Sequence, residues 1–405
     1  MRLGKRLDTL RRQSGAAAPA PPTVPGDTAA LRQRLEQLGR RAGKGSRPAA
    51  REPITADSLA SAVGGKVVED HLILVEQHWP LDHAHGGYPL DLVRESSHPI
   101  ADLQPGTVYL DTETTGLAGG TGTLAFMVGI ADGMPTGIRT RQWLISAFGG
   151  EAAMLRLVAD VLAEARNVVT YNGGGFDLPL LRSRYRLTHG KALAEPQHTD
   201  LLHHVRRLFR DRWPDCRLAT VERELLQFQR IDDLPGAEAP EAWRAFLAGD
   251  PAHRLSGVFH HNALDILSLT ILPAMLSRAA HKPKTHGAVP RAAARLWTEH
   301  GNTKKAIRIL EQNLEQLDTR GRHELARLLR TTGRGEEAVT IWRAMAEQGD
   351  QQATEHLAKY YEHVERDYAV ALGHAERLGA DDFTRKRVER LQRRLLKPMQ
   401  LALGL

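Results

Sequence analysis

The chain has 405 residues, 55 Lys and Arg against 48 Asp and Glu for a formal charge of +7, and 41% hydrophobic residues. This excludes a wholly disordered or fibrous chain and leaves room for two or three domains of roughly 100–200 residues each. A single cysteine, Cys216, excludes an internal disulfide framework, no apolar run approaches the roughly 20 residues that span a bilayer, and the opening MRLGKRLDTLRRQ has no apolar stretch behind its charges. The expectation is a soluble, cytoplasmic protein without a membrane span.

Residues 1–51 carry twelve basic and three acidic side chains, +9, and read as a largely disordered basic tail. Within it, residues 11–30 are rich in Ala, Pro, Gly and Ser and separate two amphipathic stretches, one with Leu3, Leu7 and Leu10, the other with Leu31, Leu35 and Leu38. Such stretches suit a membrane surface, a protein partner or a nucleic-acid backbone, and equally a solvated tail. Residues 52–290 hold 22 basic and 28 acidic residues, −6, and residues 291–405 hold 21 and 17, +4. The middle of this basic protein is acidic. Residues 52–105 read as an extension packing on the domain that follows, with His83 and His85 as surface or packing residues.

From about residue 106 the pattern is α/β. TVYLDTE, FMVGIAD and IRTRQWLI read as three strands, EAAMLRLVADVLAEA as a helix and NVVTY as a fourth strand, the order β-β-β-α-β. Helices follow around Leu178–Tyr185, Leu201–Phe209 and Ala263–Leu276, so a mixed sheet with flanking helices is expected over 106–279. Residues 280–290 read as a linker. Beyond it the strand signals stop, and Ala294, Leu296, Gly301, Ala306 and Ile309 recur 32 residues later as Ala326, Leu328, Gly333, Ala338 and Ile341. A period near 34 predicts paired-helix repeats of the tetratricopeptide kind over 291–397. The final basic helix, RKRVERLQRRLLKP, reads as their polar cap or as a phosphate-facing helix.

In LDTETTG, Asp111 and Glu113 are two apart on a strand, so both carboxylates share a face. Like charges held that close repel unless a cation neutralises them, and Mg²⁺ or Mn²⁺ favours carboxylate oxygens. Asp177, in YNGGGFDLPLL, suits a helix cap and a metal ligand alike, Asn172 a substrate contact or a turn, and Phe176 the core in preference to a base-stacking platform. Asp265 in FHHNALDILSL shares a helical face with His261, four residues earlier, and a His beside a metal carboxylate is able to position or deprotonate water. The Gly119-Gly120-Thr121-Gly122 loop lacks the Lys-Ser/Thr ending of a nucleotide-binding loop and reads as a hairpin loop.

Together these blocks, with HTDLLHHVRRLF and CRLATVERELL, resemble the ribonuclease-H-like 3′-5′ exonucleases with a DEDD motif set, and most closely the YprB-type domain, over about Thr107 to Leu276. The resemblance implies that Asp111, Glu113, Asp177 and Asp265 hold two divalent ions, and that a histidine completes the site. His260 and His261 both compete for that place, and helix geometry favours His261. Glu113 is included among the catalytic groups, and Asp200 is read as a helix cap. Because the region is acidic, phosphate contacts are expected from Arg182, Arg184, Arg206, Arg207 and Arg210, with Asn172 beside them. The resulting expectation is a metal-dependent 3′-5′ exonuclease acting on single-stranded DNA or RNA ends. The rival is a non-catalytic nucleic-acid adaptor that recruits protein partners through its helical repeats.

Overall fold

A computed structural model of the chain describes residues 55–95, 99–100, 105–116, 122–194, 196–379 and 381–402. The basic tail with its two amphipathic stretches, and Gly119 to Thr121 of the glycine loop, lie outside the described residues. Residues 53–405 form one compact unit.

A seven-stranded mixed sheet is its centre. Helix α1 (Ala56–Ala62) leads into β1 (Lys66–Glu69) and β2 (Leu72–Pro80), and a small two-stranded ribbon follows, β3 (Ala84–His85) with β4 (Tyr88–Pro89). Then come β5 (Thr107–Thr114), β6 (Ala125–Met134) and β7 (Gly137–Ile145), helix α2 (Glu151–Glu164) and β8 (Asn167–Thr170), as the residue pattern predicts. After α3 (Asp177–His189), the short strand β9 (Gln197–Asp200) completes the sheet in the order β1-β2-β7-β6-β5-β8-β9. Pairing is antiparallel from β1 through to β5 and parallel for β5–β8 and β8–β9.

Residues 66–80, expected only to pack on the domain edge, instead form part of the sheet. β2 pairs with β7 over nine registered positions, Leu72 opposite Ile145 through Pro80 opposite Gly137. The physical reason lies in the apolar run Leu72 to Val75: Leu72, Ile73 and Val75 are buried, and a strand that pairs along β7 satisfies its backbone while burying them.

The helices that carry the site lie beyond the sheet. They are α4 (Leu201–Phe209), α5 (Leu218–Val221) with a π turn at Glu222–Leu226, α6 (Ala239–Leu247) and the 29-residue α7 (His253–His281). By length and composition α7 is apolar enough to cross a membrane, which no run in the sequence was expected to be, but 83% of its most apolar window is buried within the fold. It is a core helix. Its first half packs Leu255, Val258 and Phe259 with β5, β6, α2 and Trp243 of α6, while Ile266 to Ala280 join the cluster that continues into the C-terminal helices.

Seven helices follow: α8 (Pro290–Glu299), α9 (Thr303–Gln312), α10 (Thr319–Thr331), α11 (Gly335–Glu347), α12 (Gln351–Tyr360), α13 (Tyr368–Ala375) and α14 (Asp382–Ala402). Consecutive helices pack on one another. The repeated small residues Ala294, Ala326 and Ala358, and Ala306, Ala338 and Ala371, are all fully buried, and Gly301 and Gly333 take positive φ in equivalent turns. Asn302, Asp318, Asp350 and Asp367 cap four of the helices through their side chains. On α14, Leu391 is buried and Arg390 pairs with Glu362 at 2.7 Å, so that helix docks one face on its predecessors.

The stretch 280–290, expected to be a linker, is tied down. Val289 N–H donates to Leu208 O at 2.9 Å, Ala288 is buried, and the Trp297 indole donates to Ala280 O at 3.0 Å. The sheet region and the C-terminal helices share one core because α7 belongs to both.

Candidate metal centre

β5 runs between β6 and β8 in the middle of the sheet, and its alternation places Asp111 and Glu113 on one face. Across the strands, Asp111 lies opposite Gly129, and Gly129 opposite Gln142. Asn262 of α7 lies over this row. Its Nδ2 donates to Asp111 Oδ2 at 3.0 Å, and its Oδ1 accepts from Gln142 Nε2 at 3.0 Å. Gln142 also donates to Phe259 O at 2.8 Å. Only a glycine at 129 permits this approach, because a Cβ there would sit 2.0 Å from Asn262 Oδ1. The helix is thereby keyed to the strand that carries the carboxylates.

Three residues after Asn262 on the same face comes Asp265, and His261 immediately precedes Asn262, four residues before Asp265. Ligand atoms of Glu113, His261 and Asp265 all lie within 4.8 Å of one another. Asp177 reaches the cluster from the first turn of α3, where its carboxylate accepts the Thr112 hydroxyl of β5. Burial, reinforced by the Asp265 and Asp177 carboxylates, holds both Asp111 and Glu113 well above the usual carboxylate range. Burial likewise pushes Asp177 up to about 6, against the Thr112 hydrogen bond that lowers it. Four acids crowded into one largely buried place outnumber the positive charge beside them, and hard oxygen donors with one imidazole form a donor set suited to Mg²⁺ or Mn²⁺. The residues fit a divalent ion.

The structure brings His261 to the carboxylates and leaves His260 out. One residue earlier on the helix is a turn of about 100°, and His260 lines a separate pocket with Gln77 and Trp79. His261 is itself held: Nδ1 lies 2.7 Å from Asp233 Oδ2 and Nε2 lies 3.5 Å from Asp265 Oδ2. Arg230 Nη1 also lies 3.1 Å from Nδ1; with the proton on Nδ1, as the shorter Asp233 contact favours, Nε2 is an acceptor facing the acids.

Sequence reasoning missed the cation that serves this cluster. Arg230 donates to Asp265, to Asp233 at 3.0 Å and, through two nitrogens, to Glu222 at 2.7 and 2.8 Å. Glu222, 1% exposed, accepts the Ser268 hydroxyl at 2.6 Å, and Ser268 in turn contacts His85 Nε2 at 2.7 Å. His85, expected at the surface or in simple packing, is therefore buried at the far end of a polar chain that reaches the acids. Burial, then the nearby Arg230 charge, lowers its pKa to about 4. One Asp233 oxygen, Oδ1, is buried without a hydrogen-bond partner.

The expected phosphate-contacting residues divide. Arg207 forms a bidentate pair with Glu299 of α8, and Arg184 one with Glu151 of α2, so both join elements. Arg206 and Arg210 are exposed on and just after α4, and Arg182 borders a small cavity of about 80 Å³ with Gly174 and His198. Asn172 takes a positive φ of 66° in the glycine loop, and its N–H donates to Asp200 Oδ1 at 2.8 Å. Asp200 also accepts from Gly174 N–H at 3.1 Å and caps α4 through Leu202 N–H at 3.1 Å. Phe176, expected in the core, is 53% exposed beside Asp177. It precedes the first turn of α3, where the chain faces solvent.

The family described as "RNase_H superfamily" matches residues 108–277, which span β5 to α7. The "Uncharacterized protein YprB" of Bacillus subtilis (strain 168) is 32% identical over 360 residues, covering 82% of this chain and 86% of that protein. The chain belongs to the YprB family. Among solved structures, a family B DNA polymerase from the hyperthermophilic archaeon Pyrobaculum calidifontis shares 16% identity at a TM-score of 0.34, covering 68% of this chain and 39% of the polymerase. The RNase_H superfamily match over residues 108–277 implies a nucleic-acid substrate and a fold that typically uses divalent metal ions. In this chain that region includes every acid of the cluster, Asp111, Glu113, Asp177 and Asp265, together with Arg230 and His261.

Proposed function

We propose that the chain is a metal-dependent 3′-5′ exonuclease that hydrolyses phosphodiester bonds at single-stranded DNA or RNA ends in the cytoplasm. The observation that carries this reading is the meeting of Glu113, His261 and Asp265 within 4.8 Å of one another, with Asp111 and Asp177 close enough to raise the same carboxyl groups, in a region that matches the RNase_H superfamily. The four carboxylates would hold a pair of Mg²⁺ or Mn²⁺ ions. When bound, the ions lower the pKa of water and neutralise the charge of the scissile phosphate.

The chain's own residues prepare that chemistry. Asn262 and Thr112 fix the orientation of the Asp111 and Asp177 carboxylates, so they are set before substrate arrives. His261, held at Nδ1 by Asp233, takes a proton from the attacking water at Nε2. Phe176, exposed at the glycine loop, offers a ring on which a terminal base stacks, and Arg182 near Gly174 faces the strand behind it. The C-terminal helices, with buried alanines at a period near 32 residues, support tetratricopeptide-like repeats that bind substrate or a protein partner.

The test is hydrolysis of 5′-labelled single-stranded DNA and RNA with Mg²⁺ or Mn²⁺. The reading predicts a ladder of products shortened from the 3′ end, lost in Asp111→Ala. Equal, background-level products from wild type and variant would leave the adaptor reading in its place.

A further inference from the structure

On the C-terminal helices, far along the chain from the acids, lies a cavity of about 410 Å³ bordered by α8, α10, α11 and α12. Its cationic wall is Arg291 of α8 with Arg320, Arg327 and Arg330 of α10. The three α10 residues are spaced seven and three apart, which at 1.5 Å per residue is a stripe of guanidinium groups about 15 Å long on one helical face. Opposing charge is scarce. Arg327 pairs with Glu324 at 2.9 Å, and Arg291 lies 4.0 Å from Asp318. Among the described residues, Arg320 and Arg330 have no ion pair, and both are exposed.

The floor adds a second and independent sign of a ligand. Trp342 of α11, 2% exposed, lines the cavity, stacks on His356 at a centroid distance of 4.8 Å, and has its indole N–H buried without an acceptor. An unmet buried donor is costly to the fold, and an acceptor entering the cavity would remove that penalty. Next to it, His323 spends Nε2 on Asp350 at 3.1 Å and leaves Nδ1 buried and unpartnered. Guanidinium groups and an unmet indole N–H together ask for an oxyanion.

We propose that this cavity binds the phosphodiester backbone of a single-stranded nucleic acid. The inference rests on the reading of the chain as a nuclease for single strands. Three observations favour a nucleic-acid strand over an acidic peptide. The wall is arginine without lysine, and arginine's planar fork matches phosphate with two parallel hydrogen bonds. The positive groups recur along a stripe, as the charges of a polyanion do. The 52–290 region is −6 while 291–405 is +4, so a strand approaching the acidic centre finds its complementary charge on the helices.

The test uses the full chain in EDTA, where hydrolysis does not occur, with a fluorescein-labelled single-stranded oligonucleotide of twenty thymidines followed by anisotropy. The Arg320→Ala/Arg330→Ala double variant is expected to bind at least tenfold more weakly, with a salt slope shallower by about 1.4 from two lost phosphate contacts. Trp342→Phe, which keeps the ring and loses only the donor, is expected to weaken binding severalfold, with circular dichroism and melting temperature confirming both folds. Wild-type affinity in the double variant, or no binding by the wild type, would overturn the proposal. So would tighter binding of a poly-glutamate peptide than of the oligonucleotide, lost in the double variant. If oligonucleotide binding depends on these arginines while Mg²⁺ supports no hydrolysis, the nuclease reading fails and the phosphate site stands.

Discussion

Among the described residues, Arg230 is the cation that reaches Glu222, Asp233 and Asp265 together, and it offsets charge at the edge of the acidic cluster. Removing one partner of a buried ion pair costs about 3–5 kcal/mol, since the remaining charges keep their desolvation penalty. Arg230→Met is therefore expected to lose about 3 kcal/mol of stability in EDTA and to regain part of it with saturating Mn²⁺. Urea unfolding with and without metal measures both numbers, and an equal loss in the two conditions would uncouple Arg230 from the centre. At the other end of the same chain of contacts, His85 is neutral in the fold, with its pKa lowered to about 4. The unfolded chain takes up this proton near pH 6.5, so between about 6.5 and 4 it binds more protons than the native state, and stability falls as pH falls. The full shift corresponds to roughly 3 kcal/mol. His85→Gln is expected to flatten the pH dependence of unfolding free energy across that window; an unchanged slope would show that His85 is not the group responsible.

At the scale of elements, the critical fit is α7 on the β5–β6–β7 row. Gly129→Ala would drive a methyl group into Asn262, whose side chain bridges Asp111 and Gln142. Overpacking of this kind costs about 1–3 kcal/mol, and here it also shifts the helix that carries His261 and Asp265. The variant is expected to lose that stability and to bind Mn²⁺ at least tenfold more weakly by calorimetry. Gly133→Ala on the same strand, where a methyl group meets open space, is expected to do neither. The acids were legible because their spacing is local: two apart on a strand, four apart on a helix, at the start of a helix after a glycine turn. Asn262 was open to the same helical argument, three residues before Asp265, but nothing local marks Gly129 or Gln142 as its partners. Arg230 and Glu222 were not legible, because their contacts join a π turn, a loop and α7 across 35 to 46 residues. Strands β1 and β2 escaped notice because their turn is Asp70–His71, with φ of 59° at His71, instead of the Asn-Gly or Asp-Gly pair that announces a hairpin. Phe176 was misread because an apolar side chain says nothing of the surface on which a helix starts.

Across the whole molecule, the same helix, α7, completes the acidic centre with its middle and begins the C-terminal core with its end. Residues 280–290 are tied down on both sides of that continuity. Arg207–Glu299, Val289–Leu208 and Trp297–Ala280 fasten α8, the first of the C-terminal helices, to the sheet region. The charge totals take on a spatial meaning from this arrangement. The region with net negative charge contains the four converging acids, and the positive excess of the C-terminal part includes the arginine stripe of α10. The central claim is that chain positions as distant as 111 and 265 fold into one divalent-cation site, and Mn²⁺ titration followed by electron paramagnetic resonance tests it most directly. The account predicts saturable binding by the wild type, a loss of at least tenfold in Asp111→Asn and in Asp265→Asn, and wild-type binding in Asp132→Asn, whose carboxylate pairs instead with Arg139 and Arg141. Absent binding in the wild type, or equal binding in all four proteins, would contradict it.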